Sequence, residues 1–122
     1  MKLSQVFSFN ALVALVYPIG FLIVPNTVIA LHGLPEGAAQ ALMARYFAVA
    51  LLGLGLIAWF VRDVAHPPLK DGITLSIFLS SLVGFVLSLQ ATLSGQMNAV
   101  GWLPTVVYLL LVLGFGYFRF FK

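Results

Sequence analysis

Long apolar stretches alternate with short polar segments along the whole chain. A spanning helix needs about 20 mostly apolar residues, at about 1.5 Å of rise per residue. Four stretches meet that length, and they cover residues 6–24, 39–60, 73–93 and 102–118. The longest polar connection is predicted over residues 61–72. The pattern therefore predicts an all-α fold, an integral membrane four-helix bundle with short loops.

Composition agrees with a bilayer, rather than water, as the surrounding medium. Of the 122 residues, 62% are hydrophobic and 7% are charged, whereas soluble domains contain about 25% charged residues. Residues 1–122 are therefore assigned to a single four-span transmembrane domain. The six basic residues are scattered, which gives no basic patch for nucleic acid. Because the chain has no cysteine, disulfides and thiol redox chemistry are excluded, and no cofactor is expected.

The distribution of basic residues predicts the orientation in the membrane. Lys2, Arg62, Lys70, Arg119 and Lys122 fall at the two ends of the chain and in the second connection. The first and third connections contain no lysine or arginine. Since basic segments stay on the cytoplasmic side, both termini are predicted to be cytoplasmic.

Small side chains recur at every fourth position of the third predicted span. The series consists of Ser76, Ser80, Gly84, Ser88 and Thr92. Residues four apart lie on the same side of a helix, and small side chains let a second membrane helix approach closely. We interpret the series as a helix-packing ridge. A polar path for a solute is the alternative interpretation.

Arg45 is the only charged residue well inside a predicted span, about 9 Å from the outer end of the second span. Tyr17, Gln90 and Tyr108 are predicted at a similar depth on the other three spans. If all four face inward, they form a polar layer. Two interpretations stay open. In the first, Arg45 snorkels toward outer lipid phosphates or Glu36 and ties the helices together. In the second, Arg45 forms an outer-leaflet pocket for an anionic or carbonyl-bearing ligand.

Residues typical of catalysis or metal binding are sparse. His32 and His66 fall in connections on opposite sides of the membrane, so they cannot share a metal ion. Each is expected to be a solvated loop residue. No Asp or Glu lies within a predicted span, which disfavours proton-coupled export. Nucleophilic hydrolysis is also disfavoured, because the hydroxyl groups of the third span have no base nearby.

Short motifs across the chain resemble those of small four-span bacterial proteins related to the DoxX-like superfamily. They are Pro25, His32-Gly33-Leu34-Pro35, Ala44-Arg45-Tyr46-Phe47, residues 53–59 with Arg62-Asp63, residues 93–95, Asn98-Ala99, Gly101-Trp102 and residues 114–118. The resemblance implies a multi-pass location in the bacterial inner membrane and a four-helix bundle, but no activity. Residues 44–47 are also similar to four-span scaffold proteins of sterol biosynthesis, an analogy that favours an accessory role.

These observations favour a non-enzymatic membrane accessory or scaffold subunit that binds lipids or partner helices. The expected partners are membrane lipids together with a protein partner or further copies of the chain. The alternative is a homodimeric transporter or channel for a small solute or a lipophile, because four helices alone rarely enclose a pore. An enzyme acting near Arg45 on a membrane-dissolved substrate is the third hypothesis.

Overall fold

The computed structural model describes residues 1–121, and Lys122, one of the residues that predict the orientation, lies outside them. The described chain is all-helical. Its α-helices are α1 (Leu3–Ile23), α2 (Pro25–Leu31), α3 (Ala38–Val61), α4 (Pro67–Leu93) and α5 (Trp102–Gly116). A 3₁₀ turn (Ala99–Gly101) precedes α5, and a π-helical turn (Tyr117–Phe121) follows it. The four predicted spans are confirmed as helices long and apolar enough to cross a membrane.

The connection between α3 and α4 is shorter than predicted. The prediction of a polar loop over residues 61–72 is wrong, because α4 begins at Pro67 rather than at residue 73. Pro67 and Pro68 occupy the first helical positions, where a fixed φ suits the helix and the missing N–H would have no partner anyway. His66 caps this end, since its Nδ1 accepts a hydrogen bond from the Leu69 N–H at 3.3 Å.

The end of the first span falls where the sequence predicts it. α1 ends at Ile23, and Pro25 begins the short helix α2, since proline cannot donate to the hydrogen-bond ladder of α1. α2 then packs against both α1 and α3. We call the end of the bundle that carries α2 the α2 end, and the opposite one the termini end.

The four long helices associate as two pairs. α1 packs along α3, and α4 packs along α5, whereas α3 and α4 scarcely touch each other. α1 and α5 provide most of the contact between the pairs. Small side chains let α3 approach α1 closely, and the buried ones are Ala41, Ala44, Ala48, Gly55 and Ala58. The main small-residue seam of the fold therefore lies on α3.

The small-residue series on α4 is not one buried face. Ser76 and Ser80 are exposed, whereas Ser88 is buried. Gly84 packs so closely against α5 that a Cβ atom at this position would lie 2.7 Å from the Tyr108 ring. Only the half of the series nearer the α2 end contacts a neighbouring helix.

Helix geometry explains why the series leaves the interface. Each step of four residues turns about 40° beyond a full turn, so the series rotates by about 160° from its first member to its last. A spacing of seven drifts by only about 20° per step. The buried positions of α4 have that spacing, and they are Thr74, Ser81 and Ser88. Thr92, the last member, donates its hydroxyl hydrogen to the Ser88 carbonyl of its own helix at 2.8 Å.

The hydrophobic core fills the termini end of the bundle. Phe7 and Phe115 are fully buried and meet edge to face, with ring centroids 4.9 Å apart. The other buried members of the core come from α1, α3 and α5, and they are Val6, Ala11, Ala58, Val61 and Leu111. This packing closes the termini end, so open space inside the bundle lies nearer α2.

Candidate functional site

A cavity of about 510 Å³ lies between the two helix pairs. This volume is within the range of about 300–1,000 Å³ that is typical of small-molecule sites. Its walls are mostly apolar side chains of α1, α3, α4 and α5. Leu111 belongs both to the wall and to the core cluster, so the core forms one end of the cavity. Ile29 and Leu34 help to close the other end.

One side of the cavity is open between α3 and α4. Phe47, Ala50 and Leu54 of α3 line the cavity and are nevertheless exposed to the surroundings. Ser80 of α4 does the same from the other side of the gap. Because α3 and α4 scarcely touch, the cavity opens sideways, toward the medium that surrounds the spanning helices.

A hydrogen-bond relay joins the cavity wall to α2. Tyr17 Oη lies 2.6 Å from His32 Nε2, and His32 Nδ1 lies 2.8 Å from the carbonyl oxygen of Val28. Because a carbonyl only accepts, Nδ1 carries the hydrogen. In the neutral ring, Nε2 then accepts the hydroxyl hydrogen of Tyr17. The relay fixes the orientation of both side chains at the wall.

The expectation that both histidines are solvated is wrong for His32. Its side chain is buried, with 6% of the residue exposed, whereas His66 is exposed. Two causes account for the burial. α2 turns back over the bundle, which carries His32 inward, and the aromatic rings of Tyr17 and Phe21 pack beside the imidazole, each with its centroid 6.1 Å away.

Asn10 places an unpaired amide group in the cavity wall. It is 8% exposed, it lines the cavity, and its side chain forms no hydrogen bond within residues 1–121. Within the described residues, Thr74 Oγ1 is the only fully enclosed side-chain polar atom without a hydrogen-bond partner, so the amide atoms of Asn10 are accessible from the cavity. Asn10 precedes Tyr17 by seven residues, so it lies on the same face of α1, about 10 Å further from the α2 end.

The structure brings together two of the four residues of the predicted polar layer. Tyr17 and Tyr108 line the cavity, whereas Arg45 and Gln90 are exposed outside it. Arg45 Nε donates a hydrogen bond to the Leu22 carbonyl at 3.3 Å. Leu22 lies in the last turn of α1, where carbonyl groups lack donors from their own helix. This contact supports the interpretation that Arg45 ties helices together.

Three residues at the cavity escaped the sequence-based prediction of the site. The relay through His32 depends on the fold of α2, which has no local signal. Asn10 could have been found, because its spacing of seven from Tyr17 predicts a common helix face. Asn98 lies in a short connection, and its own hydrogen bonds are with the distant residues Leu31 and His32 or with the turn that follows it.

Asn98 joins the two helix pairs at the α2 end. Its main-chain N–H donates to the His32 carbonyl, and its side-chain Nδ2 donates to the Leu31 carbonyl, each at 3.0 Å. Leu31 ends the helix that packs on the first pair, whereas Asn98 begins the turn that leads into α5. These two hydrogen bonds hold the α2 end of the cavity closed.

Replacing Asn98 with alanine should lower the melting temperature of the protein in detergent. The variant loses the bond to Leu31 and the helix cap in which Asn98 Oδ1 accepts from the Val100 N–H at 3.0 Å. The expected cost is about 1–2 kcal/mol in the free energy of unfolding. Gln96→Ala, an exposed change in the same connection, is the control. Equal melting temperatures for the two variants would contradict this role of Asn98.

The described chain offers no grouping that would hold a metal ion. Across residues 1–121, no three His, Asp or Glu side chains lie close enough together to do so. No protein-family model, curated protein or solved structure matches the chain. The relation to the DoxX-like superfamily therefore stays a prediction. The function is argued from the cavity and the residues around it.

Proposed function

We propose that the protein is a non-enzymatic accessory protein of the bacterial inner membrane that holds a lipid in the cavity between its helix pairs. The observation that carries this proposal is the open side of the cavity. Ala50 and Leu54 line the cavity and are at the same time exposed between α3 and α4. In a membrane, that opening faces hydrocarbon, so the cavity fills from the bilayer.

The dimensions of the cavity favour a lipid chain over a partner helix. Asn10 and Tyr17, both in the wall, are separated by about 10 Å in depth. The cavity has a volume of about 510 Å³, and the apolar core closes it toward the termini end. A spanning α-helix about 30 Å long and 10–12 Å wide occupies more than about 2,000 Å³, several times the volume of the cavity. Partner helices therefore have to bind on the outer surface.

The core beneath the cavity disfavours a water-filled channel. Phe7 and Phe115 are fully buried between the cavity and the termini end, so no polar path continues through the bundle. A transporter of a lipophile is the second candidate function, because the gap between α3 and α4 would serve uptake and release alike. That gap favours a lipophile over a water-soluble solute.

The chemistry of the wall supports a binding role rather than catalysis. None of the Asp and Glu residues of the described chain lines the cavity. Both ring nitrogens of His32 are already engaged, one by Val28 and the other by Tyr17. A general acid–base pair would need at least one such group free to reach a substrate.

Orientation and location belong to the same proposal. With four spans, the basic residues Lys2, Arg62, Lys70 and Arg119 all fall at the termini end. The positive-inside rule favours the cytoplasm for that end, so the Tyr17–His32 relay would lie in the outer half of the membrane. The motifs shared with DoxX-like bacterial proteins support the inner membrane.

Replacing Ala50 with tryptophan should reduce the lipid that co-purifies with the protein several-fold. The indole ring would fill the open side of the cavity, whereas the exposed position of Ala50 spares the core. Native mass spectrometry of the protein released from detergent micelles measures the lipid bound per chain.

Val49→Trp is the matched control. Val49 is the neighbouring residue on α3, is 60% exposed and does not line the cavity, so its replacement should leave the bound lipid unchanged. Undiminished lipid in Ala50→Trp, or the same loss in both variants, would contradict the proposal. Movement of labelled lipid between leaflets by the wild type, but not by Ala50→Trp, would favour the transporter.

A further inference from the structure

We infer that the cavity selects a neutral lipid carrying a hydroxyl group, and that this hydroxyl donates its hydrogen to Tyr17 Oη. The inference rests on the proposed lipid-binding function and adds to it the chemical class of the ligand. It follows from three features of the wall, namely the relay through His32, the free hydroxyl of Tyr108 and the absence of charge.

The relay leaves Tyr17 able only to accept. His32 Nδ1 donates a hydrogen bond to the Val28 carbonyl oxygen, 2.8 Å away. In the neutral imidazole, Nε2 therefore accepts a hydrogen bond from the Tyr17 hydroxyl, whose oxygen lies 2.6 Å away. A tyrosine hydroxyl has one hydrogen and two lone pairs. With the hydrogen committed, the oxygen offers a ligand only its lone pairs. A ligand atom that forms a hydrogen bond with Tyr17 Oη must therefore be the donor.

Tyr108 supplies the complementary group from the other helix pair. It lines the same cavity, and its hydroxyl forms no hydrogen bond within the described residues, so its hydrogen is free. An alcohol oxygen both donates and accepts, so it can satisfy Tyr17 and Tyr108 together. An ether, ester or ketone can accept from Tyr108, but it leaves Tyr17 facing a second acceptor.

The wall also excludes charged lipids from the cavity. Within the described chain, no Lys, Arg, Asp or Glu side chain lines it. An ion buried without a counter-charge is costly, because the apolar surroundings do not replace its hydration. Fatty-acid carboxylates and phosphate groups are thus disfavoured. The unpaired carboxamide of Asn10, 8% exposed, is a second sign that the cavity holds a polar, uncharged molecule.

A matched pair of probes tests the inference. One is hexadecanol carrying tritium and a photoreactive diazirine, and the other is its O-methyl ether, which has the same chain but no donor. The full-length protein in phosphatidylcholine nanodiscs should bind the alcohol about tenfold more tightly than the ether. The affinity of each probe is measured from the displacement of its photolabelling by unlabelled alcohol. In the double variant Tyr17→Phe/His32→Phe this ratio should fall to about one, because Tyr17→Phe alone would free His32 Nε2 to accept from the alcohol.

The ratio of alcohol affinity to ether affinity is measured on one variant at a time. A general loss of folded protein therefore lowers the binding of both probes and leaves this ratio unchanged. Tyr108→Phe should weaken both probes and preserve the ratio, because both oxygens accept from Tyr108. The inference is overturned, with lipid binding left standing, if the wild type binds the ether as tightly as the alcohol or if the ratio is undiminished in Tyr17→Phe/His32→Phe. No displaceable labelling by either probe overturns lipid binding as well.

Simple long-chain alcohols and acylglycerols both carry a hydroxyl group that can donate to Tyr17 Oη, so both are sources of the ligand. Competition of labelled hexadecanol with unlabelled hexadecanol and with dioleoylglycerol distinguishes these sources. Stronger displacement by either competitor than by its methyl ether supports the inference. Equal displacement by each competitor and its methyl ether overturns it.

Discussion

Replacing Gly84 with leucine should destabilise the protein by about 2–3 kcal/mol and reduce its bound lipid. A Cβ atom at position 84 would already lie 2.7 Å from the ring of Tyr108, and a leucine adds three further carbons. Either α5 moves away from α4, or the Tyr108 ring moves into the cavity. Both displacements loosen the second helix pair. Unfolding in a denaturing detergent measures the first effect, and native mass spectrometry measures the second.

Gly53→Leu is the control for that variant. Gly53 also lies within a long helix, but no atom comes within 4 Å of a Cβ atom built there. The change should be neutral or slightly stabilising, since leucine is the better helix former by about 1 kcal/mol. If the two variants unfold alike, the close approach of α4 and α5 at Gly84 has no energetic role.

Replacing Gly33 with valine should lower the free energy of unfolding by about 2–3 kcal/mol and speed the exchange of bound lipid. Gly33 has a φ of +75°, which a β-branched residue tolerates poorly. A Cβ atom there would also lie 3.1 Å from the main chain and side chain of Asn98. The substitution therefore strains the backbone and separates Asn98 from Leu31. Thermal unfolding and the exchange of labelled hexadecanol are the measurements.

Gly95→Val separates these two causes. Gly95 has a similar φ of +85°, but a Cβ atom built there meets nothing within 4 Å. This variant should show the backbone strain without disturbing Asn98. Lipid exchange should accelerate in Gly33→Val and stay unchanged in Gly95→Val. The same acceleration in both would mean that the contact between Gly33 and Asn98 does not close the cavity.

The sequence predicts the number and the core extent of the spanning helices well, because the bilayer fixes the apolar length that each must have. It predicts the start of α4 poorly for a related reason. Lys70 and Asp71 are polar, which predicts a loop. Polar residues, however, mark where a helix leaves the hydrocarbon and not where the helix begins. Pro67 and the cap at His66 set that point.

The candidate site was predicted from depth, and depth is only one of the two coordinates of a helical residue. Tyr17 and Tyr108, which are predicted at one level, both line the cavity. Rotation about the helix axis is the other coordinate, and it leaves Arg45 and Gln90 outside the cavity. On α3, the spacing of small residues contains that information, because the buried alanines and Gly55 follow one another at intervals of three, four or seven residues.

The division into two helix pairs bears on how the protein is made. Synthesis proceeds from the amino terminus, so α1, α2 and α3 are complete while α4 and α5 are still on the ribosome. During that interval, the half of the cavity formed by α1 and α3 is bathed in acyl chains. Under the proposed function, docking of the later pair would enclose a lipid already in place, and the hydrogen bond between Asn98 and Leu31, which are 67 residues apart, would hold the two pairs together. The lipids present where the nascent chain inserts would then help to determine which lipid each copy of the protein binds.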